Sequence, residues 1–145
     1  MAQRKVGIIV FDDAEVLDVM GPYEVFSVAG RISEPSEFQV VLISDSEEKS
    51  VTLRHGLRIL TDRNIYEDQE FDLIIVSGGI TTNVEQNKKL LEFLVKSKAR
   101  GTIIASICTG AFILAEAGLL GKNKVTTHWD CLLYTSDAAD EGLGV

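Results

Sequence analysis

The sequence predicts a doubly wound α/β domain: a mostly parallel sheet with helices on both faces. Three apolar runs, residues 6–11, 72–76 and 102–107, are nearly continuous rather than alternating, which is the signature of strands buried on both faces. Helical spacing of apolar residues falls between them, at 16–28 and 84–98. Strand and helix therefore alternate, and right-handed crossovers wind such a chain into a single layered sheet.

Taken in order, residues 6–11 form the first strand, and Leu17, Met20 and Val25 are spaced for one face of the helix that follows. Phe38–Ser44 supplies a second strand. Residues 51–60 suggest two short strands turning at His55-Gly56, a hairpin on the sheet edge or above it. After the strand at 72–76, Leu90, Leu91, Leu94 and Val95 mark the inner face of the second helix. The strand at 102–107 runs into a helix that begins just after Cys108, and Gly118 is placed to end it in a left-handed conformation. Residues 124–127 would open one more strand. No internal repeat or low-complexity linker interrupts the chain.

A length of 145 residues suits one compact domain, which buries roughly 68–70% of the surface its unfolded chain exposes. No apolar run approaches the roughly 20 residues of a spanning helix, so no membrane span is expected. The first apolar segment, six residues long, is too short for the core of a signal peptide, which points to a cytoplasmic protein. A net charge of −8 opposes non-specific binding to a phosphate backbone, and nucleic acid is excluded as a partner of this segment. Two cysteines, Cys108 and Cys131, do not make a disulfide framework.

The final residues read differently. Cys131 to Glu141 back-translate in frame to a sequence that resembles a transposase sequencing adapter, and Gly144-Val145 suit the bases that follow its index. The expectation is a domain over residues 1–130, incomplete at its C-terminus, followed by a non-native tail at 131–145 that includes Cys131.

The chemistry-bearing residues lie at strand ends. Ser106-Ile107-Cys108-Thr109-Gly110-Ala111 follows a buried strand and opens a helix, the context of a nucleophile elbow. A thiol at a helix N-terminus is made more acidic by the free N–H groups there; the plain alternative is a small cysteine packed in an apolar segment. Ser77-Gly78-Gly79 ends another buried strand, and the Gly78 and Gly79 N–H groups, with that of Thr109, suit an oxyanion hole or simply a tight turn. Asp18 and Glu24 lie six positions apart around a break expected at Gly21-Pro22. Asp18 reads as an acid/base partner or a helix cap, Glu24 as a site-lining acid or a solvated helix face. Of the two histidines, His55 sits at the hairpin turn and is expected to be exposed. His128 either lines the site or makes a structural hydrogen bond, the latter being preferred. Neither a metal-ligand spacing nor a dinucleotide fingerprint is present, so no metal or cofactor is expected.

As a set, Leu-Asp-x-x-Gly-Pro-x-Glu-Val-Phe from Leu17, the strand-Gly-Gly turn, the elbow around Cys108, and Ala117-Gly118-Leu119-Leu120 followed by Thr126-Thr127-His128-Trp129 resemble the ThiJ/PfpI, glutamine-amidotransferase-like superfamily. The likeness covers about residues 5–129 and is strongest to the branch holding isonitrile hydratases and the sensor halves of AraC-type regulators. It implies a flavodoxin-like fold, Cys108 as nucleophile, Asp18 as its acid partner, Thr109 as the elbow residue beside it, and a homodimer. Two departures stand out. Thr109 occupies the place where protease and amidotransferase relatives often carry histidine, which argues against proteolysis or glutaminase chemistry. Ser77 replaces a proline common before the paired glycines, a change expected to alter turn stiffness more than chemistry.

Three functions are consistent with this resemblance. The first is a hydratase acting on a small molecule such as an isonitrile. The second is a ligand-sensing domain joined to a helix-turn-helix, and the third is a stress protein whose cysteine is oxidised or attacks reactive carbonyls.

Overall fold

The computed structural model describes residues 3–34 and 37–130. The expectation of a non-native tail at 131–145 falls outside these residues. Among the described residues, seven strands and three helices of at least seven residues follow one another as β1 (Arg4–Val10), α1 (Val16–Ile32), β2 (Phe38–Ser44), β3 (Ser50–Thr52), β4 (Arg58–Leu60), β5 (Arg63–Asn64), β6 (Leu73–Val76), α2 (Lys88–Ala99), β7 (Ile103–Ser106) and α3 (Gly110–Glu116). Five strands form one parallel sheet in the order β5-β2-β1-β6-β7, the flavodoxin-like arrangement expected.

The central strand explains the continuous apolar run at the start of the chain. On β1, Val6, Ile8, Ile9 and Val10 are all fully buried, as is Phe11 beyond it. Ile8 pairs with Leu42 on one side and Ile75 on the other, so both neighbours are equally apolar. The chain leaves β1 through α1 to β2 on one side, then crosses to β6 on the other and continues through α2 to β7. Right-handed crossovers in opposite directions put α1 and α2 on opposite faces. The carboxyl ends of β1 and β6, where the winding reverses, form the crevice in which such sheets bind ligands.

Residues 51–60 form the anticipated hairpin, as a separate two-stranded antiparallel sheet of β3 and β4. Its turn is a 3-10 turn at Arg54–Gly56, with His55 at φ 62° and Gly56 at φ 88°. Gly118, at φ 71°, follows α3 in the left-handed conformation expected of it.

Several details differ from the sequence reading. The inward face of α1 is Val16, Val19, Met20 and Phe26, whereas Leu17 and Val25 point outward at 78% and 65% exposure. Spacings of three, four and seven residues select the first set; the step of five from Met20 to Val25 carries Val25 round the helix. Pro22 does not break α1, which continues to Ile32, although it removes the N–H that would meet the Asp18 carbonyl. The second helix starts at Lys88 rather than Val84, because Asn87 caps it by accepting from the Leu90 N–H at 3.2 Å, leaving Val84–Gln86 as a separate 3-10 turn. Residues 124–127 carry a single bridge residue, Val125, instead of a strand; the Thr127 hydroxyl is turned back to the Cys108 carbonyl at 2.8 Å. The two-residue strand β5 gave no periodic signal at all.

The close approach of α3 to β6 depends on Gly110, where a methyl group would overlap the Val76 carbonyl oxygen and lie 2.9 Å from that of Ser77. Both obstacles are backbone and cannot rotate away. Gly110→Ala is therefore expected to destabilise the domain by about 2 kcal/mol, read as a lower midpoint in urea unfolding; an unchanged midpoint would contradict this packing.

Candidate functional site

Cys108 stands at the end of β7, whose ladder to β6 is extended one residue by the Ile107 N–H donating to the Val76 carbonyl at 2.9 Å. The chain then turns abruptly. Cys108 adopts φ 54°, a left-handed conformation that costs an L-residue about 1–3 kcal/mol and persists only where its surroundings enforce it. Three contacts enforce it here. The Gly110 N–H donates to the Ile107 carbonyl at 2.9 Å, the Thr127 hydroxyl holds the Cys108 carbonyl, and Gly110 lets α3 press against the end of β6. The half-buried thiol is thereby lifted above the strand ends, as an elbow requires.

The Gly-Gly turn after β6 comes directly alongside. A methyl group on Gly78 would lie 2.7 Å from Cys108 Cβ, 2.7 Å from Asp18 Oδ2 and 2.8 Å from the Thr109 nitrogen. Gly79, at φ 142°, is in contact with the backbone leading into α1, and the two segments bridge through Ala14 and Gly79. The Glu15 N–H donates to the Gly78 carbonyl at 2.8 Å and the Ile80 N–H to the Asp13 carbonyl at 3.1 Å. Three segments remote in sequence are thus brought together by backbone alone.

Asp18, in the first turn of α1, faces the thiol. Its Oδ2 accepts from the Gly78 N–H at 3.1 Å, and it shares a hydrogen bond with Cys108, the thiol donating. Burial raises its pKa above the ordinary 3.8 by disfavouring the charged form, and repulsion from Glu15 adds to the rise. The Gly78 N–H, the charge of His128 and the Cys108 hydrogen bond act in the opposite direction. A carboxyl held in this way is fitted both to take up a proton and to give one back.

Thr109 is committed to the turn. Its hydroxyl accepts from the Gly79 N–H and donates to the Gly79 carbonyl, both at 2.9 Å. Both glycine N–H groups considered for an oxyanion hole therefore donate to side chains, Gly78 to Asp18 and Gly79 to Thr109. The Thr109 N–H remains as the donor at the elbow itself.

His128 is exposed, accepts at Nδ1 from the Asp130 N–H at 3.3 Å and packs on Trp129. Its effect on Asp18 places it within electrostatic reach of the site. Glu24 is not brought in: it is exposed on α1, about 9 Å along the helix axis from Asp18. His55 is exposed, as anticipated.

The roles of two residues already named in the sequence were not read from it. Ser77, fully buried, donates from its hydroxyl to the Ile9 carbonyl at 2.7 Å and so ties the ends of β6 and β1 together. Thr127, beside the histidine that drew attention, fixes the elbow carbonyl. Among the described residues, no group of three or more His, Cys, Asp or Glu side chains is arranged to hold a metal ion, and no helix is long and apolar enough to cross a membrane.

A parallel sheet flanked by helices, with a cysteine on a left-handed strand-to-helix elbow and a carboxyl beside it from the first helix, places the protein in the flavodoxin-like α/β class. The chain belongs to the DJ-1/PfpI family, whose model matches residues 4–141. It is 29% identical to isonitrile hydratase of Pseudomonas putida over 86% of its own length and 52% of the hydratase. It is 30% identical to a deglycase of Pyrococcus abyssi, covering 86% of this chain and 72% of the deglycase. Identity to the HTH-type transcriptional regulator GbdR of Pseudomonas aeruginosa is 24%, over 93% of this chain and 36% of the regulator. The fold is also that of the solved structure of oxidised DJ-1 from Toxoplasma gondii, with a TM-score of 0.81 at 24% identity, covering 98% of this chain and 74% of that one.

The raised pKa of Asp18 fixes the sign of a stability effect. Between the ordinary 3.8 and the raised value the folded state binds more protons than the unfolded one, so stability falls as pH rises through that window. Above it, the ionised Asp18 is a net burden on the fold. Asp18→Asn should therefore melt at a higher temperature than the parent at pH 7, with the difference shrinking as the pH is lowered towards 4. A variant less stable than the parent at pH 7 would contradict the assignment.

Proposed function

We propose that this protein is a cysteine-dependent small-molecule enzyme of the isonitrile-hydratase type. The observation that carries the reading is the hydrogen bond between Cys108 and Asp18 at an elbow held in a strained conformation. In the reaction, the thiol proton passes to Asp18 while the sulfur forms a bond to the terminal carbon of an isonitrile. Asp18 returns the proton to that carbon, giving a thioimidate. Water then adds, the carbon–sulfur bond breaks, and the sulfur regains a proton as an N-substituted formamide leaves. The balance is one isonitrile and one water to one formamide. Likeness to the hydratase supports this choice of substrate. Absence of histidine at Thr109 speaks against the protease and amidotransferase variants of the chemistry.

The match to GbdR over 93% of the chain favours a second reading, in which the same site senses a metabolite for a regulator. Cys108 would then be dispensable for the response. A homodimer, as the family resemblance implies, is compatible with either reading.

The test follows formamide release from an alkyl isonitrile by chromatography. Cys108→Ala should abolish turnover with an unchanged far-ultraviolet circular dichroism spectrum, and Asp18→Asn should lower kcat by about 100-fold. Turnover by Cys108→Ala equal to that of the parent would refute Cys108 as the nucleophile, and no formamide from the parent would refute the hydratase reading.

A further inference from the structure

One charged group beside the site has no task in the chemistry above. Arg54 lies in the hairpin turn between β3 and β4, its side chain 32% exposed. Its Nε is buried and 3.3 Å from Glu15 Oε1, yet the N–H is not aligned to make a hydrogen bond with that oxygen or any other. The residue is anchored by its backbone as well as by the ion pair. The Arg54 N–H donates to the Ala14 carbonyl at 2.9 Å, Leu53 before it is fully buried, and His55 and Gly56 after it take left-handed conformations. Glu15 in turn adjoins the reacting groups: its N–H is bonded to the Gly78 carbonyl, and its charge raises the pKa of Asp18. A half-buried cation with an unmet donor is thus paired with a carboxylate whose charge is felt at Asp18, in a chain of net charge −8.

We propose that Arg54 is the substrate-binding cation of the Cys108 site, and that the substrate carries a carboxylate which the guanidinium receives while Cys108 attacks the electrophilic carbon. This rests on the reading of Cys108 as nucleophile and adds the class of molecule that nucleophile meets. A guanidinium presents a planar fork of donors that matches a carboxylate, which explains an arginine at this position better than a need for charge alone. Glu15 occupies the cation in the resting site and shares or yields it when the substrate arrives.

The experiment compares alkylation of Cys108 by iodoacetate and by iodoacetamide, reagents of nearly equal size with the same leaving group that differ by one negative charge. In both, the sulfur bonds to the methylene carbon and iodide leaves. The full chain with Cys131→Ser is used, and modified Cys108 is counted by peptide mass spectrometry at low ionic strength. Arg54→Gln should slow iodoacetate about fivefold while leaving iodoacetamide within about twofold of the parent. Glu15→Gln, which frees the guanidinium, should speed iodoacetate relative to iodoacetamide, and Arg54→Gln added to it should remove that gain. An unchanged ratio of the two rates in Arg54→Gln, or a Glu15→Gln gain that persists without Arg54, overturns the proposal while leaving Cys108 as nucleophile. Failure of iodoacetamide to modify Cys108 in the parent overturns both.

Discussion

The site depends on how closely three backbones meet at Gly78. The N–H of this residue reaches Asp18 from α1, its Cα faces the Cys108 Cβ from the elbow, and its carbonyl receives the Glu15 N–H at the start of α1. Each of these contacts needs the space that a side chain would fill. Gly79 and Gly110 extend the same constraint to either side, so that the ends of β6 and β7 and the heads of two helices share one small volume. The thiol and the carboxyl are then adjacent by construction, without long flexible side chains to order.

Such an arrangement works against the stability of the fold. Cys108 is held at positive φ and Asp18 is desolvated, and both effects oppose folding. What offsets them is the fully buried central strand and its equally apolar neighbours, together with backbone ties such as the Ser77 hydroxyl on the Ile9 carbonyl. The strain sits at the carboxyl rim of the sheet, next to its most deeply buried strands. This is where a sheet can tolerate a local penalty without losing its register.

Much of this was legible in the sequence because it depends on local pattern. Continuous apolar runs marked β1, β6 and β7, and a strand–small residue–helix junction marked the elbow. Asp18 stood out as a candidate acid/base partner. What was not legible depends on distance along the chain. Ser77 meets Ile9 across 68 residues and Thr127 meets Cys108 across 19, each through a backbone carbonyl that carries no sequence signature. Arg54 and Glu15 have ordinary surface identities, and only the hairpin's position gives them a shared location. The outward turn of Leu17 and Val25 was missed for another reason: three apolar residues at spacings of three and five imitate a face that a neighbouring set, at true helical spacing, occupies.

The hairpin of β3 and β4 is joined to the main body by backbone hydrogen bonds, from Asp13 to the Thr52 carbonyl and from Arg54 to the Ala14 carbonyl. Bonds of that kind are indifferent to which side chains the hairpin carries. Exposed residues of the turn can accordingly change through evolution, or be exchanged in the laboratory, without disturbing the thiol, its acid or the glycines between them. The hairpin and the glycine-held elbow are carried on separate pieces of chain, and a change in the exposed face of one leaves the backbone ties of the other in place.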